Sequence, residues 1–231
     1  RNRFLNKVEV AALARALNDH SVPMSANAIK LLMLTGARRG EVLGATWEMF
    51  DLENGVWTKP SAHTKQRKLH RVPLSGPAVQ LLVEMKAAAK AKAEAEGTPP
   101  SPYVFPGPTG KPLTEIKRTW VSVCRRAGLG AEAPVLDTKG KPVRDRRGEP
   151  RTEFKPNVRI HDIRHSFASI LVSAGASLPL IGQMLGHTQV QTTQRYAHLF
   201  DDPLRKAAET VGAFVLQRPP EEFSASEAEQ T

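Results

Sequence analysis

The segment Ile160-His161-Asp162-Ile163-Arg164-His165-Ser166-Phe167 places three potential cations on one face of a predicted helix. His161, Arg164 and His165 are spaced i, i+3 and i+4, and residues at this spacing are neighbours on a helix surface. Three adjacent cations repel one another unless an anion lies between them, and one phosphate group would satisfy all three. We therefore interpret this helix as part of an anion-binding site.

Most of the chain around this segment is patterned for helices. Asn6 is predicted to cap the first helix, and Ser25 is predicted to cap the second. The second helix is strongly apolar and is expected to end at Thr35-Gly36, since glycine commonly terminates helices. The predicted helices cover residues 7–18, 26–35, 39–43, 77–96, 113–127 and 161–216, the last with breaks at Gly175 and Gly186.

Alternating polarity predicts a small antiparallel sheet between the helices. Residues 49–58 alternate around Asn54-Gly55, the dipeptide that a two-residue hairpin turn prefers. A third strand is predicted over residues 69–74, and Pro73 marks it as an edge strand. Glycine, proline and charge dominate residues 128–157, which predicts an exposed insertion with the spacing of a long hairpin. The expected fold class is α+β, mainly α, with a small β-hairpin sheet packed beside a helical bundle.

Composition limits the classes of function. The 231 residues are 40% hydrophobic and 24% charged, which is typical of a globular protein and excludes a disordered or collagen-like chain. Lysine and arginine number 33 against 23 aspartates and glutamates, so the formal net charge is +10. Such an excess indicates a polyanionic partner, most often nucleic acid.

The single cysteine and the absence of long apolar runs set further limits. Cys124 is the only cysteine, which excludes an intramolecular disulfide, a cysteine-based zinc site and an iron–sulfur cluster. No apolar run approaches the ~18 residues of a membrane span, and the first residues lack the apolar core of a signal peptide. We therefore expect a cytoplasmic protein.

The junction between two predicted helices forms a second candidate anion site. Arg38 lies where one helix ends and the next begins, and Glu41 is at i+3 on the same face. A carboxylate in this position would hold the guanidinium while leaving its free edge directed at a phosphate. Taken alone, the same pair is more typical of an ordinary ion pair at a helix end.

Two further candidates lie near the end of the chain. His187 follows a helix-terminating glycine, where a lone histidine commonly serves only as a partner of the helix dipole. Tyr196 has polar neighbours near a predicted helix end, which makes it the better candidate for an exposed phenol. Taken alone, it is more typical of a half-buried tyrosine with a hydrogen-bonded hydroxyl. Tyr103, the other tyrosine, lies in an apolar, strand-like context that favours a packed ring.

Taken together and in this order, the segments resemble the catalytic domain of the tyrosine recombinases, the phage integrase family. Residues 35–41 resemble its first arginine box, residues 161–168 its His-x-x-Arg box, and Leu185-Gly186-His187-Thr188 with Tyr196-Ala197-His198 its nucleophile segment. Residues 71–74 are similar to the strand that follows the family's hairpin lysine, for which Lys65 is the match. The resemblance covers residues 3–215 and implies an integrase-like catalytic core.

The resemblance also implies a mechanism and a set of site residues. Tyr196 would break a DNA phosphodiester and form a 3′-phosphotyrosine, while Lys65 would protonate the departing 5′-oxygen. Lys59 and Lys68 lie close enough in sequence to compete for that role. No cofactor or metal is expected, because arginine, lysine and histidine side chains replace the cations of a two-metal nuclease. The expected catalytic residues are Arg38, Lys65, His161, Arg164, His187 and Tyr196, with Glu41 and His165 in support.

Two other functions fit parts of the pattern. A zinc hydrolase would use His161 and His165 with His187 as a third ligand, but Arg164 would then place a permanent cation beside the metal. A non-catalytic DNA-binding protein on the same fold would keep these boxes only as phosphate contacts. Type IB topoisomerases share the chemistry of the recombinases and differ in lacking strand exchange between two sites.

Family membership would carry expectations about organisation and partners. Residues 1–217 are expected to form the catalytic domain and 218–231 a C-terminal tail, with the N-terminal DNA-clamping domain of the family absent from this chain. The expected partner is double-stranded DNA, bound by a tetramer that joins two sites, with accessory DNA-bending proteins. Such an enzyme would belong to a phage or mobile element and would be nucleoid-associated when bound to DNA.

Overall fold

The computed structural model describes residues 3–60, 69–187 and 189–215, which are mainly helical with two small antiparallel sheets. The predicted α+β, mainly α fold class is confirmed. The helices are α1 (Lys7–Asn18), α2 (Pro23–Thr35), α3 (Arg39–Leu43), α4 (Gly76–Glu96), α5 (Lys117–Arg126), α6 (Asp162–Ser173), α7 (Leu178–Leu185), α8 (Val190–Gln194) and α9 (Asp201–Val215). The strands are β1 (Phe50–Asp51), β2 (Val56–Lys59), β3 (His70–Pro73), β4 (Gly130–Pro134) and β5 (Thr152–Pro156).

Contacts within the chain divide it into two compact units. The first runs to Phe167 and includes Met184–Gly186. The second contains Ala168–Gln183 and the residues from His187 onwards. No helix in the described part of the chain is both long enough and apolar enough to cross a membrane.

Helices α1, α2, α4 and α5 form the core of the first unit. Asn6 caps α1 as predicted, since its side chain accepts a hydrogen bond from the Glu9 amide at 2.9 Å and the Glu9 carboxylate accepts one from the Asn6 amide at 3.0 Å. The fully buried side chains include Leu13, Ile29 and Leu82, one from each of three helices. Burying a side chain of this size stabilises a fold by about 1.5–3 kcal/mol.

The start of α2 differs from the prediction, whereas its end agrees. The helix begins at Pro23, and Ser25 lies buried inside it instead of capping it. Proline suits the first turn because its φ is already helical and its missing N–H would have had no partner there. Gly36 ends the helix with φ +60°, the left-handed conformation that glycine adopts without strain.

Strands β1, β2 and β3 form an antiparallel sheet in that order. Asp51 pairs with Val56, so four residues connect β1 to β2, and the predicted two-residue turn is wrong. The cause is the Asp51 carboxylate, which accepts hydrogen bonds from the Asn54 amide and side chain and closes a wider turn. The edge position of β3 agrees with Pro73, which has no N–H to donate to a neighbouring strand.

Residues 128–157 form the predicted hairpin, although it is branched. Strands β4 and β5 pair from Gly130–Pro156 to Pro134–Thr152. Beyond them, residues 136–150 make two shorter hairpins, closed by bridges between Leu136 and Pro142 and between Arg144 and Pro150. Nearly all side chains between the strands are exposed.

Candidate active site

Arg38 is the first residue of the site, and Glu41 orients it. Arg38 immediately precedes α3, and its Nη1 donates to Oε1 of Glu41 at 2.8 Å. The second carboxylate oxygen of Glu41 accepts from the Arg38 amide at 3.2 Å. The Glu41 side chain is 5% exposed, whereas that of Arg38 is 28% exposed. The i+3 contact predicted from sequence is therefore present, and the Arg38 side chain keeps more than a quarter of its surface exposed.

Lys59, at the end of β2, is a second cation on the same carboxylate. Its Nζ donates to Oε2 of Glu41 at 2.8 Å, and its side chain is only 3% exposed. Burial raises the pKa of Glu41, but the charges and hydrogen bonds of Lys59 and Arg38 outweigh it and lower the pKa to about 2. Glu41 is thus a buried carboxylate that two cations keep ionised.

Lys59 itself lies in a strongly cationic environment. Burial lowers the pKa of the Lys59 amine, the Glu41 carboxylate raises it, and the nearby charges of Arg164 and Arg38 lower it further. Its Nζ is also 4.2 Å from the centroid of the Trp57 ring, which attracts a cation through its electron-rich face. The net effect lowers the pKa of Lys59, and the direct bond to Glu41 opposes this shift because a neutral amine would leave that buried carboxylate with one cation fewer.

Sequence reasoning gave Lys59 too little weight. We considered it only as a competitor of Lys65, although a signal for burial was present. Trp57 and Lys59 are two residues apart in β2 and therefore point to the same face, and Trp57 is fully buried. A lysine on the core face of a strand requires a buried acidic partner, and Glu41 is that partner.

Arg164 bridges two helix ends from within the protein. It is 4% exposed, and its Nη1 and Nη2 donate to the carbonyl oxygens of Gly36 at 2.7 Å and Leu185 at 2.6 Å. These carbonyls lie at the ends of α2 and α7, where backbone acceptors have no partner within the helix and the helix dipole is negative. The guanidinium is therefore fixed in position by backbone groups.

The His-x-x-Arg segment differs in detail from the predicted single helical face. Helix α6 begins at Asp162, so His161 lies in the turn that precedes the helix. The Asp162 carboxylate accepts a hydrogen bond from the Arg159 amide at 2.8 Å across this turn. His161 is exposed and His165 is 5% exposed, and their rings are perpendicular with centroids 5.0 Å apart. The two histidines are thus neighbours, as predicted, but only His161 faces solvent.

A cavity of about 510 Å³ adjoins these residues in the first unit. Its floor is largely apolar and includes Leu32 and Trp120. Its cationic lining comprises Arg39, Lys117, Arg159, His161 and Arg164, with Glu115 as its one carboxylate among the lining residues. Arg39 of the first arginine box and His161 and Arg164 of the His-x-x-Arg box therefore line one cavity.

The second unit contains His187 and Tyr196. Nδ1 of His187 is 2.9 Å from Oγ1 of Thr193, a buried residue of α8. Tyr196 follows α8, and its amide donates to the Thr193 carbonyl at 3.0 Å. The predicted exposure of its phenol is wrong, because Tyr196 is 2% exposed and lies among the largest buried side chains. That prediction was based on the polar residues next to Tyr196 in sequence. These residues do not determine which way its ring points.

The candidate lysines Lys65 and Lys68 and the alternative of a zinc site are considered last. Lys65 and Lys68 lie outside the described residues, as does the tail 218–231. In residues 3–60, 69–187 and 189–215, no group of three or more histidine, cysteine, aspartate or glutamate side chains is arranged to hold a metal ion. The described geometry therefore gives no support to the zinc hydrolase.

Comparison with known proteins was made for both sequence and fold. The sequence model of the Phage integrase family matches residues 3–202. The chain is similar to tyrosine recombinase XerC of Xylella fastidiosa strain M23, with 26% identity over 198 residues that cover 85% of this chain and 56% of that protein. The chain thus spans little more than half the length of this relative.

Solved structures with the same fold include two integrases. The catalytic domain of bacteriophage HP1 integrase gives a TM-score of 0.58 at 19% identity and covers 90% of this chain and 95% of that one. The Tn1549 transposon integrase (aa 82–397) in complex with circular intermediate DNA gives a TM-score of 0.64 at 18% identity, with 91% and 67% covered. The expected integrase-like architecture is confirmed.

Proposed function

The chain belongs to the phage integrase family, and from this premise we propose that it is a site-specific DNA recombinase. It cuts and rejoins double-stranded DNA through a 3′-phosphotyrosyl intermediate. One observation carries the proposal beyond family membership: Glu41, buried and ionised, holds Arg38, whose side chain is 28% exposed. A fixed, permanently charged guanidinium of this kind stabilises the negative charge that develops on a phosphate group as it reacts.

The proposed chemistry begins with the Tyr196 phenol. Its oxygen attacks the phosphorus, a bond forms between them, and the bond from phosphorus to the 5′-oxygen breaks. Lys65 donates a proton to that oxygen, which leaves as a 5′-hydroxyl. Attack of a 5′-hydroxyl from another strand reverses the same steps, releases the tyrosine and joins the strands. Energy is conserved in the phosphotyrosine, so strand exchange consumes no nucleotide.

The remaining residues stabilise the negative charge of the transition state and assist transfer of the phenol proton. Arg38 and Arg164 stabilise the non-bridging oxygens as charge accumulates on them. His161 and His187 donate hydrogen bonds to the same oxygens or accept the phenol proton, since a phenol with a pKa near 10 needs assistance at neutral pH. Glu41 and His165 act in support. We place this chemistry in a catalytic domain formed by residues 1–217.

The proposal extends to partners and location. The enzyme acts as a tetramer on two DNA sites, helped by DNA-bending proteins, in the cytoplasm and on the nucleoid. The Tn1549 integrase structure contains DNA, which supports DNA as the partner here. The net charge of +10 supports it independently, because such an excess attracts a polyanion.

A nicked suicide substrate tests the proposal. The wild-type chain should form a covalent protein–DNA adduct that resists denaturation, and Tyr196→Phe should form none. Tyr103→Phe is the matched control, because Tyr103 is the other tyrosine of the chain, and it should form the adduct at the wild-type rate. DNA binding without any adduct in the wild type would identify the non-catalytic alternative. Strand exchange between two sites then separates a recombinase from a topoisomerase.

A further inference from the structure

Residues 130–156 form a branched element that we call the three-armed hairpin. Its stem is the β4–β5 pair, and its two free arms are residues 136–142 and 144–150. At the junction Val143 N donates to Val135 O at 2.7 Å, Arg151 N to Val143 O at 2.8 Å, and Val135 N to Arg151 O at 2.8 Å. These three bonds form a closed ring, so the backbone itself fixes where the two arms leave the stem.

The two free arms are built on the same turn. Both have the sequence Asp-x-x-Gly-x-Pro, at residues 137–142 and 145–150, an eight-residue repeat that we did not predict. The Asp137 carboxylate accepts from the amides of Lys139 and Lys141, and the Asp145 carboxylate accepts from those of Arg147 and Glu149. Each aspartate is therefore directed inward, onto its own backbone.

The outward-facing groups of the arms are mainly cations. Lys139, Lys141, Arg146 and Arg147 are all exposed. Among the described residues, none of the four lies within 4.0 Å of a carboxylate oxygen. The two aspartates are thus bound to the backbone, whereas the four cations and the Glu149 carboxylate are left at the surface.

The arms have no packing role that would explain this construction. Of residues 136–150, only Val143 is partly buried. Ordering a residue costs about 1–2 kcal/mol in backbone entropy, and arms without a core recover little of that through apolar burial. An exposed, cation-tipped element of this kind is suited to an anionic partner.

The arms are continuous with the candidate active site. Strand β5 leads from the arms to Arg159, His161 and Arg164, all within the first unit. Pro156, the last residue of β5, lines the same cavity as these three residues and Arg39. A cationic surface therefore extends from the proposed phosphate-binding residues towards the base of the three-armed hairpin.

From this geometry we propose that the two free arms bind the phosphate backbone of duplex DNA next to the cleavage site. The inference rests on the proposed function and adds a binding surface to it. Contacts of this type fix the register of the protein on the duplex without reading bases. They lengthen the bound DNA segment and raise affinity in a salt-dependent way.

The test compares two variants that lose the same formal charge. The arm variant carries Lys139→Gln, Lys141→Gln, Arg146→Gln and Arg147→Gln. The control variant carries Lys7→Gln, Lys86→Gln, Lys90→Gln and Lys92→Gln, all exposed positions on α1 and α4. The measurement is the dependence of the DNA association constant on NaCl concentration. Each lost phosphate contact lowers the logarithmic salt slope by ~0.9, so the arm variant should lose about 3–4 and the control less than about 1.

A second variant and a second measurement distinguish failure of the role of the arms from failure of the proposed function. Replacing residues 136–150 by Asn-Gly retains the stem with a two-residue turn and should shorten the DNA footprint on one side of the cleavage site. Equal salt slopes for the arm and control variants, or a full-length footprint after the replacement, would overturn the proposal. Adduct formation by the wild type is measured in parallel. If the wild type forms no adduct, the proposed function fails; if it does and the slopes match, only the role of the arms fails.

Discussion

Lys59 and Glu41 form a buried ion pair in which Nζ lies 2.8 Å from Oε2, and the other carboxylate oxygen holds Arg38. The pair joins the end of β2 to α3. Removing either partner would leave the other as an uncompensated charge inside the protein, which is far costlier than losing a surface ion pair. The position of Arg38 therefore depends on a lysine that need not touch DNA.

Replacing Lys59 by methionine should strongly destabilise the chain. The substitution keeps the apolar part of the side chain but removes its charge, so that among the described residues Arg38 remains as the cation bound to the Glu41 carboxylate. Breaking a buried ion pair in this way costs about 3–5 kcal/mol of unfolding free energy. Urea denaturation measures the loss. Lys90→Met is the matched control, because Lys90 is 76% exposed and should change stability by less than about 0.5 kcal/mol. Equal midpoints for the two variants would show that the pair contributes nothing.

Glu41 should make the stability of the protein depend on pH in the acid range. Its pKa is lowered from 4.5 to about 2 in the folded state, so the unfolded chain takes up its proton first as the pH falls. The stabilising contribution is therefore complete above about pH 5 and is lost between about pH 4.5 and 2. Glu41→Gln removes this titration. The difference in unfolding free energy between wild type and variant should stay constant from pH 6 to about pH 5 and then shrink towards pH 3. Parallel curves down to pH 3 would contradict it.

Local signals predicted the features that depend on local physics. Asn6 as a cap, Gly36 as a helix end and Pro73 at a sheet edge follow from backbone chemistry that the residue itself carries. The contact between Arg38 and Glu41 likewise follows from their i+3 spacing.

Features that depend on distant partners were predicted poorly. Glu41, the partner of Lys59, lies 18 residues away in sequence, and no periodicity encodes such a pairing. The prediction that Ser25 caps α2 was wrong for another reason. Pro23 lies two residues earlier and begins the helix instead. The eight-residue repeat in the three-armed hairpin was visible in the sequence and was overlooked.

Three features of Gly36 should make it hard to replace. Its φ is +60°, and a Cβ there would lie 2.5 Å from the Phe167 ring, while its carbonyl is an acceptor for Arg164. Gly97→Ala is a matched control, since Gly97 ends α4 at φ +61° and a Cβ added there would have nothing within 4 Å. Both variants bear the strain of a left-handed alanine, about 1–2 kcal/mol. Only Gly36→Ala should lose more stability than this and also form the DNA adduct more slowly; equal effects would reduce Gly36 to an ordinary helix end.

Arg164→Lys should separate binding from chemistry. A guanidinium spans the carbonyls of Gly36 and Leu185 with two nitrogens, whereas a lysine ammonium is a single point that cannot keep both bonds and the same direction. The charge remains, so affinity for DNA should fall by less than about tenfold, while the rate of adduct formation should fall about 100–1,000-fold, as for other losses of a transition-state donor. Arg159→Lys, at a side chain that is 66% exposed, controls for the general effect of arginine loss. Gel-shift affinities and single-turnover adduct rates on the suicide substrate measure the two quantities. A parallel fall in both would mean that Arg164 anchors the DNA backbone and takes no part in the reaction.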